Sequence, residues 1–262
     1  MKKIIIANWK CNPESLAQAK KLFNSVKKGV KDLKNLEIVI CPPFTYLSSF
    51  KFPSFAKASE DKQDSSFKMG AQNCFYQQGA FTGEVSVGML KDAGAEYVII
   101  GHSERRRNFG ETNEMVNKKI KAALKAKLKV ILCVGETAEE RKQGKTDDVL
   151  LEQLEVGLAG IPLTTNYLPA GRQGKLKTTN LLIAYEPLWA IGTGNNCQPQ
   201  EAGKARLLIQ QEIGEKIPII YGGSVNAKNV KSYLDVGYNG VLIGGESLKA
   251  DEFVKIITTS CK

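Results

Sequence analysis

Histidine is almost missing from this chain: His102 is the only one among 262 residues. The six cysteines, at 11, 41, 74, 133, 197 and 261, include no CxxC pair. With one histidine this leaves little for a zinc site, so the cysteines read as reduced thiols that fill core and surface. No apolar run approaches the roughly 18 residues that cross a membrane. The opening MKKIIIANWK starts like a signal peptide, but its apolar stretch is far too short and meets Asn8 and Lys10. Together these absences predict a cytoplasmic protein with no membrane partner and no metal.

Acidic residues are also short in supply, 27 against 37 basic ones, for a formal net charge of +10. A nucleic-acid partner would be one reading. The lysines are spread along the chain, however, with few runs and little aromatic interleaving. A solvated basic surface that also draws in a small anion fits better. Hydrophobic residues make up 42% and charged residues 24%, an ordinary balance for a globular protein. The length suits one α/β barrel of about 250 residues as well as it suits two domains.

Short apolar runs recur: KIIIAN (3–8), EIVICP (37–42), FKMGAQN (67–73), YVIIG (97–101), KVILCVG (129–135), LLIAYE (181–186), IPIIYGG (217–223) and GVLIGG (240–245). Most are continuous rather than alternating, as parallel strands buried on both faces require. Helical patterns lie between them. In 14–33 the stripe is Leu16, Ala19, Phe23, Val26, Val30 and Leu33, with Asn12 as the expected cap and Pro13 in the first position. In 112–128 it is Val116, Ile120, Leu124 and Leu128 behind Thr112 or Asn113, and in 226–236 it is Val230, Tyr233 and Leu234 behind Asn226. Strand then helix, eight times over, predicts a (β/α)8 barrel. An open doubly wound sheet would need a glycine-rich fingerprint after the first strand, and ANWKCNPE is not one. Residues 53–66 and 162–180 break the rhythm and read as surface loops or insertions.

In such a barrel the side chains just past the strand ends converge on one mouth. Asn8 and Lys10 stand after the first strand, His102 and Glu104 after the fourth, and Glu186 at the end of the sixth. YGGS (221–224) follows the seventh and GGES (244–247) the eighth. Taken singly, each has an ordinary explanation: a solvated lysine, a capping acid, a tight glycine turn. Taken together, they suit one chemistry. A carboxylate in a water-poor site can remove a proton next to a carbonyl. A donor such as a neutral imidazole at the N-terminus of a short helix can meet the oxygen where charge develops. An ammonium stabilises the oxyanion, and glycine-rich turns bind phosphate through backbone amides. EPLWAIGTGNNC (186–197), with Pro187 and Trp189 at its entry, reads as a lid.

The stretches ANWK, AQNC…GAFTGEVS, GHSERR, CVGE, AYEPLWAIGTG, YGGSV and GGESL resemble, in order, the signature stretches of the triosephosphate isomerase family, and they span nearly the whole chain. The resemblance implies an α/β protein, a single (β/α)8 TIM barrel over 1–262, acting on a small phosphorylated triose without metal or organic cofactor. It implies Glu186 as the base between C1 and C2, His102 as the neutral electrophile, Lys10 as electrostatic support, Asn8 as a positioner and Glu104 as a supporting acid. Gly192, Ser224, Gly244 and Gly245 would hold the phosphate. Tyr221 and Ser224 would latch the closed lid behind Pro187, and Glu136 would hold Trp189 in the open one. The segment 72–84 resembles a loop that enters a partner subunit, where Thr82 would brace the neighbour's Asn8, so a homodimer is expected. The lid exit Asn195-Asn196-Cys197 departs from the family's usual lysine-threonine-alanine type, which bears on opening rates rather than on the chemistry. Two competing functions are a Schiff-base aldolase, which would want a lysine where Glu186 stands, and a nucleic-acid-binding protein using the basic surface.

Overall fold

The computed structural model describes residues 2–30, 33, 35–50, 67–162, 180–191 and 196–261. Eight parallel strands close in sequential order: β1 (Lys3–Asn8), β2 (Leu36–Cys41), β3 (Phe67–Ala71), β4 (Tyr97–Ile100), β5 (Lys129–Val134), β6 (Leu181–Tyr185), β7 (Ile219–Tyr221) and β8 (Gly240–Ile243). β8 returns to β1 with Ile4 to Ala7 beside Gly240 to Ile243, which seals the ring. Each strand falls within a residue or two of its predicted run. The two interrupted stretches at 53–66 and 162–180 lie, apart from their edge residues 162 and 180, outside the described residues.

Alternate strand residues face opposite ways, and the barrel divides them between two cores. Ile6, Val39, Cys41, Tyr97, Ile99, Ile131, Cys133, Leu182, Ala184, Ile220 and Leu242 pack together as one buried cluster inside the barrel. Ile5, Ile38, Val98, Val130, Ile183 and Ile219 join the cluster formed with the surrounding helices. Seven of the eight strands are therefore apolar on both faces, which is why most runs do not alternate, and β3 alone turns Lys68 and Gly70 inward. Following the inner parity upward from Ile6, Ala184, Ile220 and Leu242 reaches Asn8, Glu186, Gly222 and Gly244. The period of two delivers these four to the mouth.

The outer layer contains α1 (Leu16–Gly29), α2 (Phe44–Leu47), α3 (Val87–Asp92), α4 (Ser103–Phe109), α5 (Asn113–Lys125), α6 (Ala138–Lys142), α7 (Thr146–Gly157), α8 (Pro199–Ile213), α9 (Val230–Asp235) and α10 (Ala250–Ser260). α1 buries Ala19, Phe23 and Val26 from the predicted stripe, but it starts later than expected. Ser15, not Asn12, is its cap, accepting the Gln18 N–H at 3.3 Å. Pro13 instead precedes the helix and lends its carbonyl to the Tyr46 hydroxyl. α9 also starts late. Asn226 spends its side chain on a turn, accepting the N–H groups of Lys228 and Asn229, so the helix opens only at Val230. α5 begins as predicted, with the Thr112 hydroxyl accepting the Met115 N–H.

A buried ionic cluster braces the flank beside β4. Lys119 on α5 is 2% exposed; its Nζ donates to Asn73 Oδ1 at 2.8 Å and lies 3.2 Å from Glu111 Oε2. Arg105 on α4 donates to the same Glu111 oxygen at 2.5 Å. Replacing Lys119 by methionine leaves Glu111 buried with half its compensation and Asn73 Oδ1 without its donor. The expected cost is roughly 3–5 kcal/mol, read as a lower denaturant midpoint.

Candidate active site

A cavity of about 380 Å³ opens at the C-terminal ends of the strands, within the range of roughly 300–1,000 Å³ usual for small-molecule sites. Its lining includes Asn8, Lys10, His102, Glu186, Ser224, Gly244 and Gly245. Residues contributed by β1, β4, β6, β7 and β8 thus meet in one place.

Lys10 sits two residues past Asn8 with φ at +53°, a left-handed conformation that is costly for a residue with a side chain. Two polar contacts hold it there. Its N–H donates to Asn8 Oδ1 at 3.0 Å, and its carbonyl accepts Gln72 Nε2 at 2.9 Å. The twist aims Nζ into the cavity, where it pairs with Glu104 Oε1. Gln72 was given no role by sequence reasoning. The only signal was its place in AQN, at the end of the third apolar run.

His102 caps α4. Its Nδ1 accepts the Glu104 N–H at 3.2 Å, so Nδ1 carries no proton in this geometry and a neutral ring carries its proton on Nε2. Nε2 lies 3.3 Å from Glu186 Oε1. Glu186 is 1% exposed; its other oxygen accepts the Ser103 N–H at 2.9 Å. Arg106, also unassigned from sequence, fastens the turn below by donating to the Gly101 carbonyl at 2.8 Å. Gly222 is required by close approach, since a Cβ there would stand 2.8 Å from Glu186 Cγ.

Beside the cavity, Glu136 is fully buried. It accepts the Trp189 indole N–H at 2.7 Å and the Tyr185 hydroxyl at 3.1 and 3.2 Å. Burial raises its carboxyl above the ordinary range against these hydrogen bonds. Arg141 lies over the Trp189 ring at 4.0 Å. The Ser224 hydroxyl donates to the Ala190 carbonyl at 2.5 Å. Tyr221 is buried against Tyr233, with ring centroids 3.8 Å apart, and its hydroxyl has no hydrogen-bond partner among the described residues. Pro187 leads into the short turn Leu188–Ala190. Gly192 lies outside the described residues. Thr82 is exposed on the loop after β3 and is not part of the mouth. Among the described residues no group of three or more His, Cys, Asp or Glu is placed to hold a metal ion, and no helix is long and apolar enough to cross a membrane.

A closed parallel barrel whose C-terminal mouth joins a buried carboxylate, an imidazole, an ammonium and glycine turns defines an α/β-barrel enzyme that handles protons on a small anionic substrate. Residues 3–260 match the family model described as triosephosphate isomerase. Proteins named triosephosphate isomerase from Dictyoglomus turgidum and Dehalococcoides mccartyi are 42% and 45% identical; the alignments cover 98% of this chain in both cases, and 98% and 96% of those proteins. The crystal structure of triosephosphate isomerase from Bartonella henselae superposes with a TM-score of 0.78 at 34% identity, covering 100% of both chains. The chain belongs to the triosephosphate isomerase family.

Proposed function

We infer that this chain carries out the reaction of its family, the interconversion of dihydroxyacetone phosphate and D-glyceraldehyde 3-phosphate in glycolysis and gluconeogenesis. The observation that carries the residue roles is the buried pairing of Glu186 with His102 at the rim of a cavity that also receives the Lys10 ammonium. Glu186 takes the proton from C1 of the ketose and returns it to C2, while the hydroxyl proton of O1 passes to O2, so no atom and no electron is gained or lost. Its carboxylate leaves the Ser103 N–H to reach the substrate. The Nε2–H of His102 faces the oxygen on which the enediolate charge collects. Lys10, steadied by Glu104, stabilises that charge, and Asn8 holds the substrate and the Lys10 backbone. Ser224, Gly244 and Gly245 offer polar or unobstructed backbone contact to the phosphate, with Gly192 assigned to the same group by resemblance alone. The chemistry calls on no cofactor.

The Trp189–Glu136 contact fits an open lid, and Tyr221 and Ser224 are its latch on closure. Trp9 and Trp189 are the two tryptophans, and the Trp9 indole N–H is buried without a partner. Trp9→Phe should therefore be tolerated and leave Trp189 as the single reporter. Its emission should shift when substrate draws the indole away from Glu136 and Arg141; an unchanged spectrum at saturating substrate would refute the lid's movement.

The same reading makes residues 1–262 one domain, cytoplasmic, and paired as a homodimer through the 72–84 loop, with Thr82 reaching the neighbouring mouth. A coupled assay with glyceraldehyde 3-phosphate beside a sizing column tests these points. Isomerase turnover in a peak of two chains is expected. A fully active single-chain species would remove the dimer from the proposal, and absence of turnover in folded protein would remove the activity.

A further inference from the structure

Gln153 lies on α7, outside the barrel wall, and no step above uses it. Its carboxamide nevertheless closes a pair of hydrogen bonds on one backbone residue of the mouth. Oε1 accepts the Gly135 N–H at 2.9 Å, and Nε2 donates to the Gly135 carbonyl at 3.0 Å. The reason for this pairing is in the sheet. β4 and β5 are last in register at Ile100 and Leu132, so β5 runs on past its neighbour, and the Gly135 peptide groups have no strand to pair with on that side. A primary amide offers one donor and one acceptor and can replace the missing strand.

What Gly135 touches gives the contact its consequence. A Cβ at 135 would lie 1.8 Å from the Glu186 carbonyl oxygen, so the Gly135 backbone is in direct contact with the backbone of Glu186. Its two neighbours hold the same segment. The Val134 carbonyl accepts the Glu186 N–H at 2.7 Å, and the Glu136 carbonyl accepts the Leu188 N–H at 3.0 Å. Residues 134–136 are thus the seat of both the base and the root of the lid, and Gln153 pins the middle of that seat from behind.

We propose that Gln153 is a positioning residue of the isomerase: its carboxamide fixes Gly135 and, through Gly135, the Glu186 backbone from which the carboxylate reaches C1 and C2. The proposal rests on Glu186 being the base. Glutamate at 153 provides a specific probe. Ionised, it offers acceptors alone and turns a negative oxygen toward the Gly135 carbonyl. Protonated, it again offers one donor and one acceptor in nearly the same shape.

The test is steady-state kinetics of full-length Gln153→Ala and Gln153→Glu, with activity referred to folded protein. Gln153→Ala should lower kcat by roughly ten- to a hundredfold with KM within about twofold, the pattern of a displaced reacting group. Gln153→Glu should show a similar loss at about pH 8, and its kcat relative to the parent should recover several-fold by about pH 5.5 as the side chain takes up a proton. The ratio for Gln153→Ala should stay flat over that range. Should alanine unfold the chain, the glutamate variant carries the test, since its readout is a pH ratio within one folded protein. A kcat per folded chain within twofold of the parent, or a glutamate ratio that does not rise at low pH, overturns the proposal. Glu186→Ala runs alongside. If it keeps the parental rate, the base assignment fails; if it is inactive while the Gln153 variants match the parent, only the role of Gln153 fails.

Discussion

Glu186→Ala is expected to lower kcat by roughly 10²–10⁴-fold, the usual contribution of a positioned general base, without loss of the fold. The carboxylate is 1% exposed, with one oxygen on the Ser103 N–H and the other 3.3 Å from His102 Nε2. Truncation removes a buried acid and leaves one backbone N–H at the edge of a cavity that water can enter, so the unfolding midpoint should hardly move. Glu186→Asp is the sharper version. It keeps the charge and withdraws the oxygens by about one bond length, and misplacement on the order of 1 Å can cost about 10²-fold. A near-parental kcat in either folded variant would sink the assignment of the base.

His102→Ala should cost kcat roughly 10²–10³-fold while KM changes little, because the oxygen it faces gains its charge only as the proton leaves carbon. The histidine also caps α4, and losing a cap costs about 1 kcal/mol of stability. His102→Asn separates the two effects. Asparagine is a good cap and should restore the unfolding midpoint, but it does not restore a ring donor at the Nε2 position, so kcat should remain low. Nitrogen NMR of the single histidine should find the proton on Nε2 in the resting enzyme, since Nδ1 is occupied as the acceptor of the Glu104 N–H. A pure KM effect in His102→Ala, or a resting proton on Nδ1, would contradict the role.

The barrel was legible because its cause is local. Nearly every strand is apolar on both faces, one facing the inner core and one the helices, so short and mostly continuous apolar runs marked the eight strands. The mouth was legible for a related reason, since inner parity carries Asn8, Glu186 and the glycine turns to the strand ends. Helix starts were less legible, because capping residues were plentiful and the choice fell to tertiary bonds. Pro13 went to the Tyr46 hydroxyl, so Ser15 opened α1, and a turn kept Asn226 from opening α9.

The amino-acid order by itself determined the strand pattern, the (β/α)8 class and the residues that end each strand, because these depend on neighbours two to four positions apart. Only the tertiary structure decided which of those residues touch. Lys10 meets Glu104 across 94 positions, Ser103 meets Glu186 across 83, and Gln72 reaches the Lys10 carbonyl across 62. Gln153 finds Gly135 only because β5 outruns β4 and leaves a peptide group to satisfy. Such contacts follow no period along the chain. They arise when closure of the barrel brings buried polar groups together and each must find a partner.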